Sequence, residues 1–490
     1  MDLSHFRAEI DRIDNQLVSL FLERMAISAA IGDYKKERGL PVYVPSREKE
    51  KLTALEALAP GFEGDIRGLY EKIFQLSRDY QTRRSFPFGV LGRKLGHTYS
   101  PQLHGLFGNQ AYGVFEREPE DVEGFVKSRS FRGLNVTIPY KKTVLPFCDS
   151  LTHAAETLGA VNTLVRQPDG TLLGHNSDYF GFRSLVLRQG ISLTGKKALV
   201  LGSGGASNTA AAVLKELGAR VVVISRTGEN NYTNLNRHRD AALIVNATPV
   251  GMYPDTEAAP LSLREFPELS CVLDLIYNPA RTRLLQEAED LGIPCENGLW
   301  MLVAQAWESA GMFRGETLSP ELMESAYRTL RFQTENIVLI GMPGSGKSTV
   351  AEALSKQLGR PWVDADRELE KETGISVPEI LETQGEESFR ALESAVLARL
   401  CKQSGLIIAT GGGCVTKPEN RALLRCNGRV CRLNRDLSLL STEGRPLSKK
   451  HSTEALFRVR DPLYRHFADR EIDNGGTPEE TVTRILEALQ

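Results

Sequence analysis

The 490-residue sequence predicts a multidomain chain, with an all-α helical N-terminal domain followed by two α/β domains. Three observations carry that prediction. One hydrophobic core seldom grows past ~250–300 residues, so this length requires more than one domain. The apolar pattern changes near residue 85, from helical spacing to short β-branched runs that alternate with helical stretches. Two glycine-rich turns, at Gly202 and Gly341, each stand between an apolar strand and a helix.

Composition narrows the function classes. Hydrophobic residues at 41% and charged residues at 25% are globular values. Lys and Arg number 60 against 62 Asp and Glu, so no field of either sign is available to hold a nucleic acid or an anionic membrane. Seven cysteines without a CxxC pair indicate neither a disulfide framework nor a zinc site. The acidic N-terminal stretch, without an apolar region, differs from a signal or transit peptide, and the expected location is the cytoplasm.

In residues 1–84, Phe6, Ile10, Ile13, Leu17, Leu20, Ile27 and Ile31 follow a 4-3-4-3 spacing that predicts one long helix. Shorter helical patterns follow at 47–58 and 66–80. Arg24 takes an apolar place in the seam, and Lys35 lies only about 20° away on the same face, so the helix presents two cations where an anion is expected. Arg7 faces about 100° away, toward another chain. The segment resembles the small all-helical chorismate mutases through Phe6-Arg7, Glu23-Arg24, Tyr34-Lys35, Arg47-Glu48 and Ser77 with Gln81. That resemblance implies an intertwined homodimer in which Arg7 of a partner and Arg24 hold the substrate carboxylates. Lys35 and Gln81 would meet the ether oxygen and Glu48 the ring hydroxyl, with Arg47 and Ser77 completing the pocket. Val44 replaces the family's usual aspartate. A second reading makes this segment a regulatory or dimerisation module whose Arg24 snorkels to water.

Residues 86–320 divide into a lobe at 86–190, a Rossmann lobe at 191–300 and C-terminal helices to about 320. From Phe88 to about Gly315 short β-branched runs, for example 197–201, 221–224, 243–246 and 271–275, alternate with helical stretches, which predicts a parallel sheet with helices on its faces. Gly202-Ser203-Gly204-Gly205-Ala206 opens the helix expected at 208–217, and Ser225-Arg226-Thr227 ends the next strand. Arginine there suits a 2′-phosphate, so NADP(H) is favoured over NAD. The region resembles shikimate dehydrogenase: His97 to His104 matches the family's HSxSPxxHN motif, with Thr98 and Ser100 as hydroxyls for a substrate carboxylate and Gly105 in place of the asparagine. Gly133 to Lys141 matches the catalytic-lysine motif and includes Thr137, while Ala160-Val161-Asn162-Thr163 and Asn176-Ser177-Asp178 supply amide and carboxylate partners. The resemblance implies that Lys141 stabilises charge and donates a proton at the carbonyl oxygen, that Asp178 orients that lysine, and that Asn162 and Gln305 fix hydroxyls. It places Asn246, Thr248 and Tyr277 on the nicotinamide side. Alone, Asp178 would read as the N-cap of a helix at 179–187. An alternative has this domain acting on quinate with NAD.

Residues 334–490 open on the strand 336–340 and the loop Gly341-Met342-Pro343-Gly344-Ser345-Gly346-Lys347-Ser348, which matches GxxxxGK[ST] before a helix at 349–358. Its backbone N–H groups and Lys347 suit ATP phosphates, Ser348 suits Mg²⁺, and Thr349 joins the nucleotide set. The segment resembles shikimate kinase, by Val363-Asp364-Ala365-Asp366, Gly385 to Arg390, Gly411-Gly412-Gly413, Arg445-Pro446-Leu447 and Arg460 to Tyr464. That implies Asp366 at the acceptor hydroxyl and Asp364 near Mg²⁺. Arg390 and Arg460 would grip the substrate carboxylate, Gly411, Gly412 and Gly413 would bring backbone close to it, and Arg445 would close from a lid onto the phosphoryl group. The segment between Leu433 and Arg445 is shorter than the family's lid, and Pro478 offers a face to adenine. Together the three resemblances imply reduction of 3-dehydroshikimate, phosphorylation of shikimate and rearrangement of chorismate to prephenate. The joins near 83–87 and 318–335 read as tight fusions.

Overall fold

A computed structural model describes residues 3–38, 40, 44–85, 88–96, 98–109, 111–440 and 453–489. The chain forms two compact units, Met1–Ser177 with Ala306–Leu318, and Asp178–Gln305 with Ser319–Gln490.

In the first unit the helices Leu3–Glu37, Pro45–Glu56 and Glu63–Ser85 confirm the helical reading. The first helix buries little: Phe6, Ile10, Ile13, Leu17, Leu20, Ile27 and Ile31 are 43–61% exposed. Each such side chain gains about 1.5–3 kcal/mol when taken out of water, so this stripe is a strong drive toward association. The unit also holds a six-stranded sheet of β1 (Phe88–Gly92), β2 (Tyr112–Glu116), β3 (Gly133–Val136), β4 (Ser150–Leu151), β5 (Thr163–Arg166) and β6 (Leu172–His175), in the order β2-β1-β3-β5-β6-β4. It corrects the expectation of a parallel sheet, because β5 runs antiparallel to both β3 and β6. The short Gln167–Thr171 turn that joins β5 to β6 can only return the chain antiparallel; a parallel crossover needs a dozen or more residues.

The second unit carries two parallel sheets. The Rossmann sheet has β7 (Lys197–Leu201), β8 (Arg220–Ile224), β9 (Ala241–Asn246), β10 (Cys271–Asp274) and β11 (Cys295–Asn297), in the order β11-β10-β9-β7-β8. The C-terminal sheet has β12 (Asn336–Ile340), β13 (Trp362–Asp364), β14 (Ile407–Ala409), β15 (Gly428–Asn434) and β16 (Arg470–Asp473), in the order β13-β14-β12-β15-β16. The central strands β9, β10, β12 and β14 are buried along their whole length, as continuous apolar runs in a doubly covered sheet should be.

The segment 318–335 is not a bare join. Ser319 caps a helix, Pro320–Thr334, with Pro at its first turn, and Met323, Ala326, Tyr327 and Leu330 are buried. Tyr327 meets Trp300 edge-on at 5.2 Å, and Arg188 bonds Glu324 at 2.7 Å, so this helix packs on the Rossmann side. Its last turn leads directly into β12, and Glu335 between them bonds Arg331 at 3.1 Å and Arg429 at 2.8 Å. No helix among the described residues is long and apolar enough to cross a membrane.

Candidate functional sites

Arg24, Ser28 and Gly32 recur one turn apart on the first helix and face the helix Glu63–Ser85. Arg24 donates to Ser77 Oγ and lies 5.7 Å from the Phe74 ring centre. Gln81 is buried against Gly32, where an added Cβ would stand 3.0 Å from its Cγ, and its Oε1 is buried without a partner among the described residues. Lys35 is half-buried one further turn along the same helix. Glu48 pairs with Arg78. Arg47 instead bonds Glu50 on an exposed face, and Arg7 lies about 26 Å along the axis from Arg24. Arg24, Ser77 and Gln81 thus lie between the first and third helices, with Lys35 further along the first, while Arg7 stands far from them and Arg47 is turned to an exposed partner.

In the same unit, Thr98 Oγ1 and Ser100 Oγ are 3.1 Å apart at the start of the helix Ser100–Leu106. His104 anchors that helix, stacked at 4.1 Å on Tyr112 and 5.4 Å from Phe313, and burial pushes its imidazole down to about 3, so it is a neutral core group. Thr137 follows β3, its N–H bonded to Leu91 O at 2.9 Å, and Lys141 sits in the next turn, where its carbonyl accepts from Val161 N at 2.8 Å. Asn162 is buried, and its Oδ1 accepts from Ser177 N at 2.8 Å and Thr163 Oγ1 at 3.0 Å. Those two donors fix the orientation of the carboxamide.

In the second unit, Asp178 is the second residue of the helix Ser177–Arg188, not its N-cap. Gly181, one turn on, lets the helix Leu299–Arg314 approach so closely that a Cβ there would meet Met301 O at 2.7 Å and Gln305 Cβ at 3.1 Å. Gln305 Nε2 donates to Leu302 O at 2.8 Å. Gly202 has φ +110° at the end of β7, and an added Cβ at Gly204 or Gly205 would meet no atom within 4 Å. That open N-terminus of the helix Gly205–Glu216 is a cradle into which a pyrophosphate fits, and Arg226 and Thr227 stand exposed after β8 beside half-buried Ser225. Asn246 Oδ1 accepts from Thr248 N and Oγ1 at 3.0 and 2.6 Å, while its Nδ2 donates to Asp274 at 3.0 Å. Burial pushes the Asp274 carboxyl up to about 6, and Thr282 holds it from the other side at 2.6 Å.

The C-terminal site is the most completely assembled. Gly344 and Gly346 adopt φ +87° and +85°, which glycine alone takes up without strain, and the loop ends at the helix Lys347–Leu358. Lys347 Nζ donates to Gly341 O and Met342 O at 3.0 Å each, and Ser348 Oγ donates to Asp364 Oδ2 at 2.6 Å. Asp364 also caps the next helix, Ala365–Thr373, through Asp366 N at 3.1 Å. Asp366 Oδ1 and Glu393 Oε1 are both buried without a hydrogen-bond partner among the described residues, and both aim at Gly411. A Cβ there would lie 2.4 Å from the Glu393 oxygen and 2.7 Å from that of Asp366. Burial, then the neighbouring Glu393 and Asp364, push the Asp366 carboxyl up to about 6. Arg390 bonds Glu393 at 2.7 Å and covers Gly413, while Arg460 Nη1 and the Tyr464 hydroxyl both donate to Gly412 O. Arg445 lies outside the described residues. The serine–aspartate pair is an all-oxygen donor set suited to Mg²⁺ held together with nucleotide phosphates. No group of three or more His, Cys, Asp or Glu side chains among the described residues makes a separate metal site.

The model for shikimate kinase matches residues 343–490, that for chorismate mutase type II matches 6–82, and that for the shikimate dehydrogenase substrate-binding domain matches 90–164. A shikimate dehydrogenase (NADP(+)) of Clostridium perfringens is 32% identical over 266 residues, which cover 98% of that protein and 50% of this chain. This chain belongs to the shikimate dehydrogenase family. The corresponding enzyme of Thermus thermophilus is 38% identical over 263 residues, covering 97% of that protein and 49% of this chain. A solved chorismate mutase/shikimate 5-dehydrogenase fusion protein from Clostridium acetobutylicum matches at 32% identity and a TM-score of 0.47, over 50% of this chain and 96% of that one. The chain therefore joins a chorismate mutase domain, a shikimate dehydrogenase and a shikimate kinase domain.

Several residues that shape these sites escape sequence reading. In the kinase domain Glu393 stands three positions after Arg390, a spacing that on an exposed helix would be only a surface ion pair. Asn474 Nδ2 donates to Ser345 O and so steadies the phosphate loop, and Thr481 holds Asn474 Oδ1 at 2.6 Å. Arg435 brings its Nη1 within 3.6 Å of the place a Cβ on Gly346 would occupy. In the dehydrogenase, Asp274 sets the Asn246–Thr248 turn, and its one sequence signal is a charge ending an otherwise apolar strand.

Proposed function

We propose that the chain is a cytoplasmic multifunctional enzyme that reduces 3-dehydroshikimate to shikimate with NADPH, phosphorylates shikimate with ATP and Mg²⁺, and rearranges chorismate to prephenate. Support is strongest at the kinase site, where two buried carboxylate oxygens, two arginines and a glycine turn converge on one point. There Asp366 accepts the proton of the attacking hydroxyl, and its raised pKa makes it a better base than an exposed carboxylate. Arg390 and Arg460 hold the substrate carboxylate, and the phosphate loop with Lys347 holds the phosphates. ATP supplies the transferred phosphoryl group, and Arg445 and Pro478 complete the nucleotide side.

At the dehydrogenase site NADPH supplies the hydride. Lys141 stabilises the charge that hydride addition leaves on oxygen and delivers the proton, Thr98, Ser100 and Thr137 bind the carboxylate side, and Asn162, Asp178 and Gln305 fix the ring hydroxyls. The cradle at Gly202, Gly204, Gly205 and Ala206 takes the pyrophosphate, Ser225, Arg226 and Thr227 the 2′-phosphate, and Asn246, Thr248 and Tyr277 the nicotinamide. Arg226→Ala is expected to raise KM for NADPH about tenfold and leave that for NADH unchanged, the loss of about one charge-assisted contact. Equal effects on both coenzymes in steady-state assays would remove Arg226 from 2′-phosphate binding.

At the mutase site Arg24, Lys35 and Gln81 hold the reactive conformer and the ether oxygen, with Ser77, Arg47 and Glu48 around them, and a homodimer through the exposed apolar stripe brings Arg7 of a second copy into each groove. In the intact chain Arg24→Ala is expected to lower mutase kcat/KM about a hundredfold, followed by loss of chorismate absorbance, with dimer mass retained in light scattering. No chorismate turnover by the unmodified dimer would instead make this domain a dimerisation module. Separate assays of the full chain with 3-dehydroshikimate, shikimate and chorismate test the three activities together.

A further inference from the structure

We propose that the kinase domain braces the nicotinamide-side loop of the dehydrogenase, with Arg281 as the positioning residue. After β10 the chain runs through Tyr277 and Asn278 to Ala280 and Arg281, then enters the helix Arg283–Asp290 capped by Thr282. The far end of this loop is fastened to the residues that open β15. Ala280 N donates to Asn427 Oδ1 at 3.1 Å and Arg281 N to Cys426 O at 2.8 Å. Arg281 Nη1 reaches Gly428 O at 3.2 Å and Asp469 Oδ2 at 3.1 Å, and Glu289 lies 3.3 Å from its Nε. Asp469 also accepts from Val430 N at 2.9 Å, so it is fixed in the kinase sheet before it meets Arg281. On the dehydrogenase side, Ala280 O accepts from Asn297 Nδ2 at 2.8 Å and Asn278 O from Tyr253 N at 3.2 Å. The loop is thus tied at Asn278, Ala280 and Arg281, immediately after Tyr277.

The charges make the tie specific. Arg281 and Asp469 side chains are only 13% and 11% exposed, and a buried pair that loses one partner leaves an uncompensated charge. Arg281 Nη1 serves the Gly428 carbonyl and the Asp469 carboxylate while its Nε faces Glu289, two nitrogens where lysine offers one. The direction of the effect follows from the strand register. Arg281 docks where Asn336 pairs with Gly428, at the start of β12, whereas the phosphate loop leaves its other end, beyond the Ile340–Arg432 pair. That separation is about 13 Å along the strand, so the dock borders the dehydrogenase loop and lies remote from the kinase chemistry.

The proposal rests on the reading of Tyr277 as a nicotinamide-side residue, and the test separates the two. In the full chain, NADPH binding is titrated by the cofactor's own fluorescence beside steady-state assays of both activities. Arg281→Ala is expected to raise Kd and KM for NADPH about five- to tenfold while kinase kcat and KM stay unchanged. Arg281→Lys, the milder variant should the alanine chain not fold, should shift Kd in the same direction by a smaller factor. Arg421→Ala cuts another tie of the same interface, to Asp290 at 2.9 Å, and should leave NADPH binding alone. Normal NADPH affinity in Arg281→Ala, or an equal loss in Arg421→Ala, overturns the brace. Weak binding in Tyr277→Ala with normal binding in both Arg281 variants overturns the brace and keeps the loop at the cofactor; normal binding in all of them removes both.

Discussion

Asp366→Asn is expected to lower kinase kcat about a thousandfold and to leave dehydrogenase and mutase rates unchanged, because the substitution keeps the shape of the side chain and removes only the proton acceptor. The carboxyl lies against Gly411, and burial with two acidic neighbours pushes it up to about 6. The active form is the carboxylate, so the kinase rate should be full above that value and fall as pH drops through about 6. Glu393→Gln removes one of the like charges that raise Asp366 and should move this acid limb to lower pH. A coupled ADP-release assay across pH reads both effects. Near-normal turnover in Asp366→Asn would take that residue out of the mechanism and leave phosphoryl transfer to positioning alone.

Lys141→Met should be as damaging to the reduction of 3-dehydroshikimate, with kcat down about a thousandfold and KM for substrate little changed, since methionine keeps the length and loses both charge and proton. NADPH oxidation followed by absorbance gives the rate, and cofactor fluorescence shows that binding persists. Asn162→Ala makes a useful contrast. It removes a donor held by Ser177 and Thr163, so it should raise KM more than it lowers kcat. If Lys141→Met kept its turnover, the proton would have to come from another donor.

These sites were legible in the sequence to unequal degrees. The phosphate loop and the GxG turn are read locally, because backbone geometry at Gly202, Gly344 and Gly346 demands glycine and the flanking strand and helix are continuous. Most of the strands noted in advance fall within two residues of their observed bounds, since central strands carry unbroken apolar runs. Direction is not encoded that way, and the antiparallel β5 was therefore missed. Residues that work from the far side of a fold, such as Glu393 under Gly411 or Arg78 across from Glu48, carry no local mark either. Asp178 shows the opposite limit: a short acid before a helical pattern reads as a cap, whereas the helix begins one residue earlier.

The helix Pro320–Thr334 joins the two segments through a shared carboxylate. Its buried face belongs to the dehydrogenase side, its last turn holds Glu335, and Glu335 in turn receives Arg331 from one domain and Arg429 from the other. The Glu335 carbonyl also accepts from Arg360 Nη2 at 2.5 Å. A cut on either side of this residue strands an arginine, so excising the kinase breaks one of these ion pairs. A kinase segment cut free on either side of Glu335 should therefore unfold at a lower temperature than it does in the full chain.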